Sequence, residues 1–485
     1  MLKRISLFLV VILVLLTCVS CGAAMGSNSS DAGYVNPSVD SSVPNSGSSG
    51  SDGGTGAYPP TTPNKGEAMA PGDGSYDDYV GAPEYSPEYG GDMDVDEAPG
   101  EGGGSAGEGS TGEGTIAPDQ IVLPSGMITA GAWVDNDNYE AWLALFSQDG
   151  DSAGKFFDYT KPVYSWGFNS LNRVKVNVKN DDMAVAGATV IASDNEGNPL
   201  FAAVTDAQGN AYLFVDEAEG VVNITSGAGK ATAQFTKDSR DLSVSLDSNA
   251  DKLDVIEIML VVDVTGSMGD EIYFLKAELA DVINRISENN SDTVIKLAML
   301  FYRDTYDSVP FDYYDFEEVT TPSGLAKQQA ALNSQYATGG GDYPEAVDEA
   351  LLMAVNQQWS TGASTKIIFH VLDAPAHEGT KYAERFVSAT KIAAEKGIRI
   401  CPIICSGAAD STEYTMREAA IYTGGTFIFV TDDSGIGGSH HDPGLPNVTI
   451  ELLNSLMVRL VNGYHTGSFS EPIFWKQDYN LNNFQ

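Results

Sequence analysis

The stretch Val255–Glu271, VIEIMLVVDVTGSMGDE, decides the fold. Residues 255–262 form a nearly unbroken apolar run, and a strand of that kind is buried on both faces, as in parallel sheets covered by helices. The run ends in Asp263, Thr265 and Ser267, three oxygen-bearing side chains around Gly266, and a helical pattern opens immediately afterwards. In open α/β sheets, ligands gather at the carboxyl ends of the strands. The stretch therefore reads as a core strand delivering a cluster of oxygens to a sheet edge, with Gly266 allowing the loop a close approach.

The same alternation continues outward. Strand-like VIKLAMLFY, TKIIFHVLD, IRICPIIC and TFIFV are separated by helical patterns at 269–288, 323–336, 343–358, 380–396, 411–423 and 446–463. This predicts a doubly wound, mostly parallel α/β domain over residues 250–465. Two further loops carry oxygens. ATGGGDYPEAVDEAL offers Thr338 before three glycines and Asp342 after them, with Pro344 at a favoured first helical position, and HVLDAPAHEG offers Asp373 at the end of an apolar strand. Glu345 and Asp348 fit an exposed or capping helix face.

The order of strands and helices, DVTGS, GGGDYPEA and VLDAPAHE together resemble a von Willebrand factor type A domain with its metal-ion-dependent adhesion site. The resemblance covers about two hundred residues and implies a Rossmann-like sheet holding Mg²⁺, with Mn²⁺ or Ca²⁺ as alternatives, at its carboxyl edge. It places Asp263, Thr265, Ser267 and Asp373 at the metal, Thr265 standing where the family has Ser. The second loop departs from the usual pattern: Asp342 is the favoured donor and Thr338 the alternative. The family implies binding of a protein or surface component whose acidic group completes the coordination shell. Mg²⁺ takes about six oxygens at roughly 2.1 Å, and short side chains on tight turns can supply them. A third carboxylate would lower the metal's electrophilicity toward an acidic ligand.

Other chemistries find less support. The five histidines show no zinc spacing, His440 and His441 read as an exposed loop, and no G-x-S-x-G elbow or P-loop appears. The expected protein is not an enzyme. Its rivals are an envelope assembly or regulatory protein in which the metal is structural, and, further off, a metal-dependent hydrolase. A formal net charge of -41 argues against nucleic acid as a partner.

Upstream, the composition changes twice. Lys3 and Arg4 precede a short apolar run ending at Leu16, too short to span a bilayer, followed by TCVSCG. That junction resembles a bacterial lipobox, with Cys21 as the lipidated residue and Cys18 the alternative, so that 1–21 is a signal peptide and the mature chain is lipid-anchored outside the cytoplasm. Residues 22–118 carry about sixteen acids against Lys65 alone, a composition that predicts a disordered acidic tether. Residues 173–248 alternate in short runs between Gly, Asn and Asp turns, predicting a small antiparallel sandwich similar to carboxypeptidase regulatory-like, transthyretin-like domains. Residues 119–172 read as an aromatic-rich segment packed on that sandwich. Cys401 and Cys405 lie four apart on one strand, roughly 13 Å, too far for a disulfide. Residues 466–485 form a tail with aromatic residues.

Overall fold

The computed structural model describes residues 128–149, 152–248, 253–341, 343–434 and 439–478. The signal peptide, Cys21, Cys18 and the tether lie outside the described residues, as do Asp342 and the end of the tail. The described residues fall within one compact unit, Gly114–Gln485.

Strand β1 (Thr129–Trp133) and helix α1 (Tyr139–Ala144) come first. Two small sheets come after them. In the first, β2 (Arg173–Asn180) pairs with β5 (Asn210–Phe214) and β8 (Asp241–Ser245). The second joins β3 (Thr189–Ser193), β4 (Pro199–Val204), β6 (Glu219–Ser226) and β7 (Gly229–Thr236). Alternate residues such as Val174, Val176, Val190 and Ile224 are fully buried, the period-2 pattern of half-covered strands. The sandwich is not wholly antiparallel as expected: β8 runs parallel to β2. It follows β7 of the other sheet, so the chain crosses between sheets and no tight hairpin constrains its direction.

The larger sheet holds β9 (Val255–Asp263), β10 (Val294–Tyr302), β11 (Phe311–Glu318), β12 (Thr365–Leu372), β13 (Ile398–Ile404), β14 (Phe427–Thr431) and β15 (Glu451–Leu452). Its order is β11-β10-β9-β12-β13-β14-β1-β15. The five strands from β10 to β14 in that order are parallel, and β11, β1 and β15 add antiparallel pairs at the edges. Side chains of β9 divide by parity. Ile256, Ile258, Leu260 and Val262 share a core with α2 (Gly269–Asn289), α3 (Pro322–Asn333) and α7 (Leu453–Thr466). Met259 and Val261 share the other with α4 (Val347–Val355), α5 (Thr380–Lys396) and α6 (Asp410–Thr423). That two-sided burial is why the strand is apolar at nearly every position. Cys401 and Cys405 are buried free thiols. No helix among the described residues is long and apolar enough to cross a membrane.

Three elements depart from the sequence pattern. The helix expected over 343–358 begins only at Val347, because Glu345 pairs in extended form with Ala376 and donates its N–H to Pro375 O at 3.0 Å. The helix expected from 446 begins at Leu453, because Glu451 and Leu452 are held as a strand against β1. Strand β11, FDYYDFEE, is an edge strand whose acids mask its alternation; charge on an edge also discourages pairing with other chains.

Segment 119–172 does more than pack beside the sandwich: β1 completes the large sheet, and α1 covers α6. Arg417 of α6 is fully buried and bonds Asp135 Oδ1 at 2.5 Å, Asp135 Oδ2 at 2.9 Å and Glu413 Oε1 at 2.8 Å. Tyr422, further along α6, stacks on Phe214 of the sandwich at 4.5 Å, so one apolar core runs through both parts. In the tail, Trp475 is buried and donates its backbone N–H to Ile450 O. Breaking a buried ion network leaves charges uncompensated, at a cost of about 3–5 kcal/mol. Arg417→Met should lower unfolding free energy by that amount in urea denaturation; an unchanged midpoint would show that the clamp contributes nothing.

Candidate metal centre

Strand β9 fixes Asp263 at the carboxyl edge of the sheet, with no exposed surface. Its Oδ1 accepts from Thr265 N at 2.9 Å and from Thr265 Oγ1 at 2.7 Å. Its Oδ2 is buried without a donor among the described residues. Such an orphan oxygen is costly to bury, and a cation is the group whose charge would answer it. Asp373, immediately after β12, is 5 % exposed and accepts a hydrogen bond from Ser267. The first and third loops therefore meet as the sequence suggests, and Ser267 itself is exposed.

The second loop approaches through its backbone. Thr338 N donates to Val264 O at 3.0 Å, and Gly266 N donates to Gly339 O at 3.3 Å; the Thr338 side chain is exposed. The steric need for glycine lies elsewhere than expected. A Cβ on Gly266 would meet Gly339 O at an ordinary 3.6 Å, whereas one on Gly340, whose φ is +74°, would lie 2.7 Å from Glu345 Oε1 and 3.2 Å from Thr265 Cβ. Gly340 is thus the tight point, threaded between Thr265 and Glu345.

Glu345 is the buried acid beside these loops that sequence reasoning missed. It is 4 % exposed, not on an outer helix face, and its Oε2 has no hydrogen-bond partner among the described residues. Asp348 is likewise buried, at 1 %, and forms an ion pair with Arg385 at 2.5 Å without hydrogen-bond alignment. Both were misread because a helix from 343 would have turned them outward, and the extended Glu345–Ala376 bridge turns Glu345 inward instead. The P-E pair after a glycine run was the available signal. Glu271, in the first turn of α2, is also buried; Ser406 Oγ donates to its Oε1 at 3.0 Å and Oε2 is unpartnered among the described residues.

Burial dominates the electrostatics. It pushes the Asp263 carboxyl up to about 7, with Asp373 adding repulsion against the Thr265 hydrogen bonds. It pushes Glu345 up to about 9, reinforced by Asp263 and Asp304. Burial raises Asp373 as well, opposed by the Ser267 hydrogen bond. Hard carboxylate and hydroxyl oxygens at a crowded acidic edge suit Mg²⁺, Mn²⁺ or Ca²⁺. The carboxylates of Asp263, Asp373 and Glu345 do not all lie within 4.8 Å of one another; among the described residues only Asp410, Glu413 and His441 do so. In that second cluster Lys155 Nζ already sits 2.5 Å from Glu413 and 3.1 Å from Asp410, an ammonium in the place of a cation. His441 accordingly bonds Glu413 at 2.6 Å and is half-buried, not part of an exposed loop.

Comparison with known proteins agrees with the sheet. Residues 257–432 match the family model described as von Willebrand factor A domain, so the match and the doubly wound topology together support a type A domain here. A putative ariadne-like RING finger protein of Acanthamoeba polyphaga mimivirus is 26 % identical over 223 residues, 42 % of this chain. The chain spans about a fifth of that relative's length. Among solved structures, the conserved hypothetical protein BatB from Bacteroides thetaiotaomicron aligns with 38 % of this chain and 91 % of its own, at 18 % identity and a TM-score of 0.26. The pilus adhesin SpaC from Lactobacillus rhamnosus GG aligns with 48 % of this chain and 33 % of its own, at 11 % identity and a TM-score of 0.30.

The raised carboxyls fix a pH dependence. Because Asp263 and Glu345 titrate higher in the fold than their ordinary 3.8 and 4.5, the cation-free fold holds extra protons. Their contribution to stability is full below about pH 4 and is lost as pH rises through about 7 and 9. A cation binds the ionised forms and displaces those protons. The rise in melting temperature on adding Mg²⁺ should therefore be larger near pH 8 than near pH 5.5; an equal or reversed rise would contradict this assignment.

Proposed function

We propose that this domain binds a divalent cation, Mg²⁺ before Mn²⁺ or Ca²⁺, and through it a protein or surface ligand. Asp263, Thr265, Ser267 and Asp373 would hold it, with Asp342, or Thr338 in its place, from the second loop, and Glu345 behind it. When bound, the cation supplies an electrophilic position for a partner's carboxylate. The chain's own residues do the rest: Thr265 orients Asp263, Ser267 bridges to Asp373, and Gly340 lets the second loop close on the first. The observation that carries this reading is the buried Oδ2 of Asp263, without a donor among the described residues and facing the repulsion of Asp373. The exposed Ser267 leaves the edge open to a partner.

The wider setting we infer from sequence is an interaction protein, not an enzyme, carried outside the cytoplasm of a bacterium by a lipid on Cys21, or Cys18. The chain's acidity fits no nucleic-acid partner. Replacing Cys21 with Ser should move the protein from the membrane to the soluble fraction on expression in a bacterial host; unchanged partition would remove the anchor from the account.

A second reading draws on the depth of the acids. Asp263 has no exposed surface, and Glu345 adds negative charge that weakens the cation toward an acidic ligand, which favours a structural metal in an envelope assembly or regulatory protein. Calorimetry of the full chain should show Mg²⁺ binding that Asp263→Ala abolishes and Glu345→Gln weakens by about ten-fold, in line with supporting ligands elsewhere. Absence of Mg²⁺, Mn²⁺ and Ca²⁺ binding in the unaltered chain would end both readings. Membrane pull-down with the unaltered chain and Asp263→Ala separates them: a partner retained by both assigns the metal a structural role.

A further inference from the structure

Aromatic side chains collect at the same edge. Five tyrosines are exposed among the described residues, and four of them, Tyr273, Tyr306, Tyr336 and Tyr343, belong to the metal edge. Tyr306 lies between Asp304 and Asp307, whose Oδ2 accepts from Gly340 N at 3.0 Å, and it is 88 % exposed. Tyr336 precedes Thr338 by two residues, and its carbonyl accepts from Arg303 at 3.2 Å. Tyr343 donates through its hydroxyl to Gly407 O at 3.1 Å and lies 3.4 Å from Asp373 O, which sets its ring beside the third loop. Tyr273 is three residues before Lys276 on α2, hence on the same helix side, and Lys276 Nζ is 4.5 Å from the Tyr336 ring.

Charge at this edge is one-sided. Asp270 and Glu378 are exposed, and Asp307 is half-exposed, beyond the acids assigned to the cation. The nearby cations already have partners: Arg303 Nε donates to Thr338 O at 2.8 Å, Lys276 Nζ donates to Gln335 O at 2.5 Å and lies over the Tyr336 ring, and Lys381 Nζ lies over the Tyr382 ring. One divalent ion does not neutralise such a rim. A carboxylate approaching the cation meets surplus negative charge unless positive groups arrive beside it. Lysine and arginine side chains would answer both features, pairing with the rim acids and lying on tyrosine faces. Tyrosine also offers large contact area at low entropic cost, as in protein-binding loops.

We propose that the four tyrosines form a contact rim around the cation and that the partner is a protein whose metal-directed carboxylate is flanked by lysine or arginine. This rests on the cation-binding reading above. The test uses the full chain in Mg²⁺ against a random displayed peptide library with a fixed central Asp, followed by affinities of the selected peptides. Lys or Arg should be enriched beside the Asp, and Tyr306→Ala with Tyr336→Ala should weaken the selected peptides about ten-fold. The matching Tyr→Phe pair, which keeps the rings, should bind as the unaltered chain does, and Mg²⁺ calorimetry should be unchanged in both. Enrichment of neutral or acidic neighbours, failure to select any peptide, or indifference to the Ala pair would overturn the proposal. So would a neutral oligosaccharide bound in Mg²⁺ and lost in the Ala pair, which would assign the rim to sugar. Loss of Mg²⁺ binding in the unaltered chain would instead strike the underlying cation reading, so the two failures are distinguishable.

Discussion

A carboxylate oxygen buried without a hydrogen-bond donor is the constraint on which the rest of this structure turns. Strand β9 holds Asp263 where Thr265 satisfies one oxygen and no described residue satisfies the other. Asp373 stands close enough to raise its proton affinity, and Asp263 in turn raises that of Glu345. Burying one unpaired charge is expensive, and clustering three compounds it. Protons relieve the crowding at low pH. A cation would relieve it while leaving the carboxylates ionised at neutral pH.

The surrounding architecture makes that edge rigid. The neighbouring parallel strands place Asp263 at the end of β9 and Asp373 just after β12, in register from Ile256 with Thr365 to Val262 with Val371. Helices on both faces bury those strands completely, so their ends cannot easily shift. At the other end of the sheet, β1 lies between β14 and β15, and the Arg417–Asp135 pair fastens α6 to the loop after β1. The stacking of Tyr422 on Phe214 then ties the sandwich to the same core. The sandwich brings no comparable orphan acid cluster among its described residues; its role is consistent with support.

Much of this was legible in the sequence because period and chemistry agreed. The unbroken apolar runs specified a parallel sheet, and oxygens at the ends of two such runs marked the edge. Asp263, Thr265, Ser267 and Asp373 were readable for that reason. Glu345 was not, because helical periodicity extended through GDYPEAV and gave no sign that Glu345 would pair in extended form with Ala376. Strand β1 escaped for a different reason: its place depends on β14 and β15, far along the chain, and TAGAW carries no strong strand propensity. The Arg417 clamp was equally hidden, since a lone Arg on an amphipathic helix normally faces solvent. Local pattern thus found what a single segment determines and lost what a distant contact decides.

The most direct measurement is anomalous scattering from crystals of the full chain grown with Mn²⁺. A peak enclosed by Asp263, Ser267 and Asp373 is expected, with oxygen of the second loop beside it. A peak at Asp410, Glu413 and His441 instead, or none at the sheet edge under saturating Mn²⁺, would contradict it.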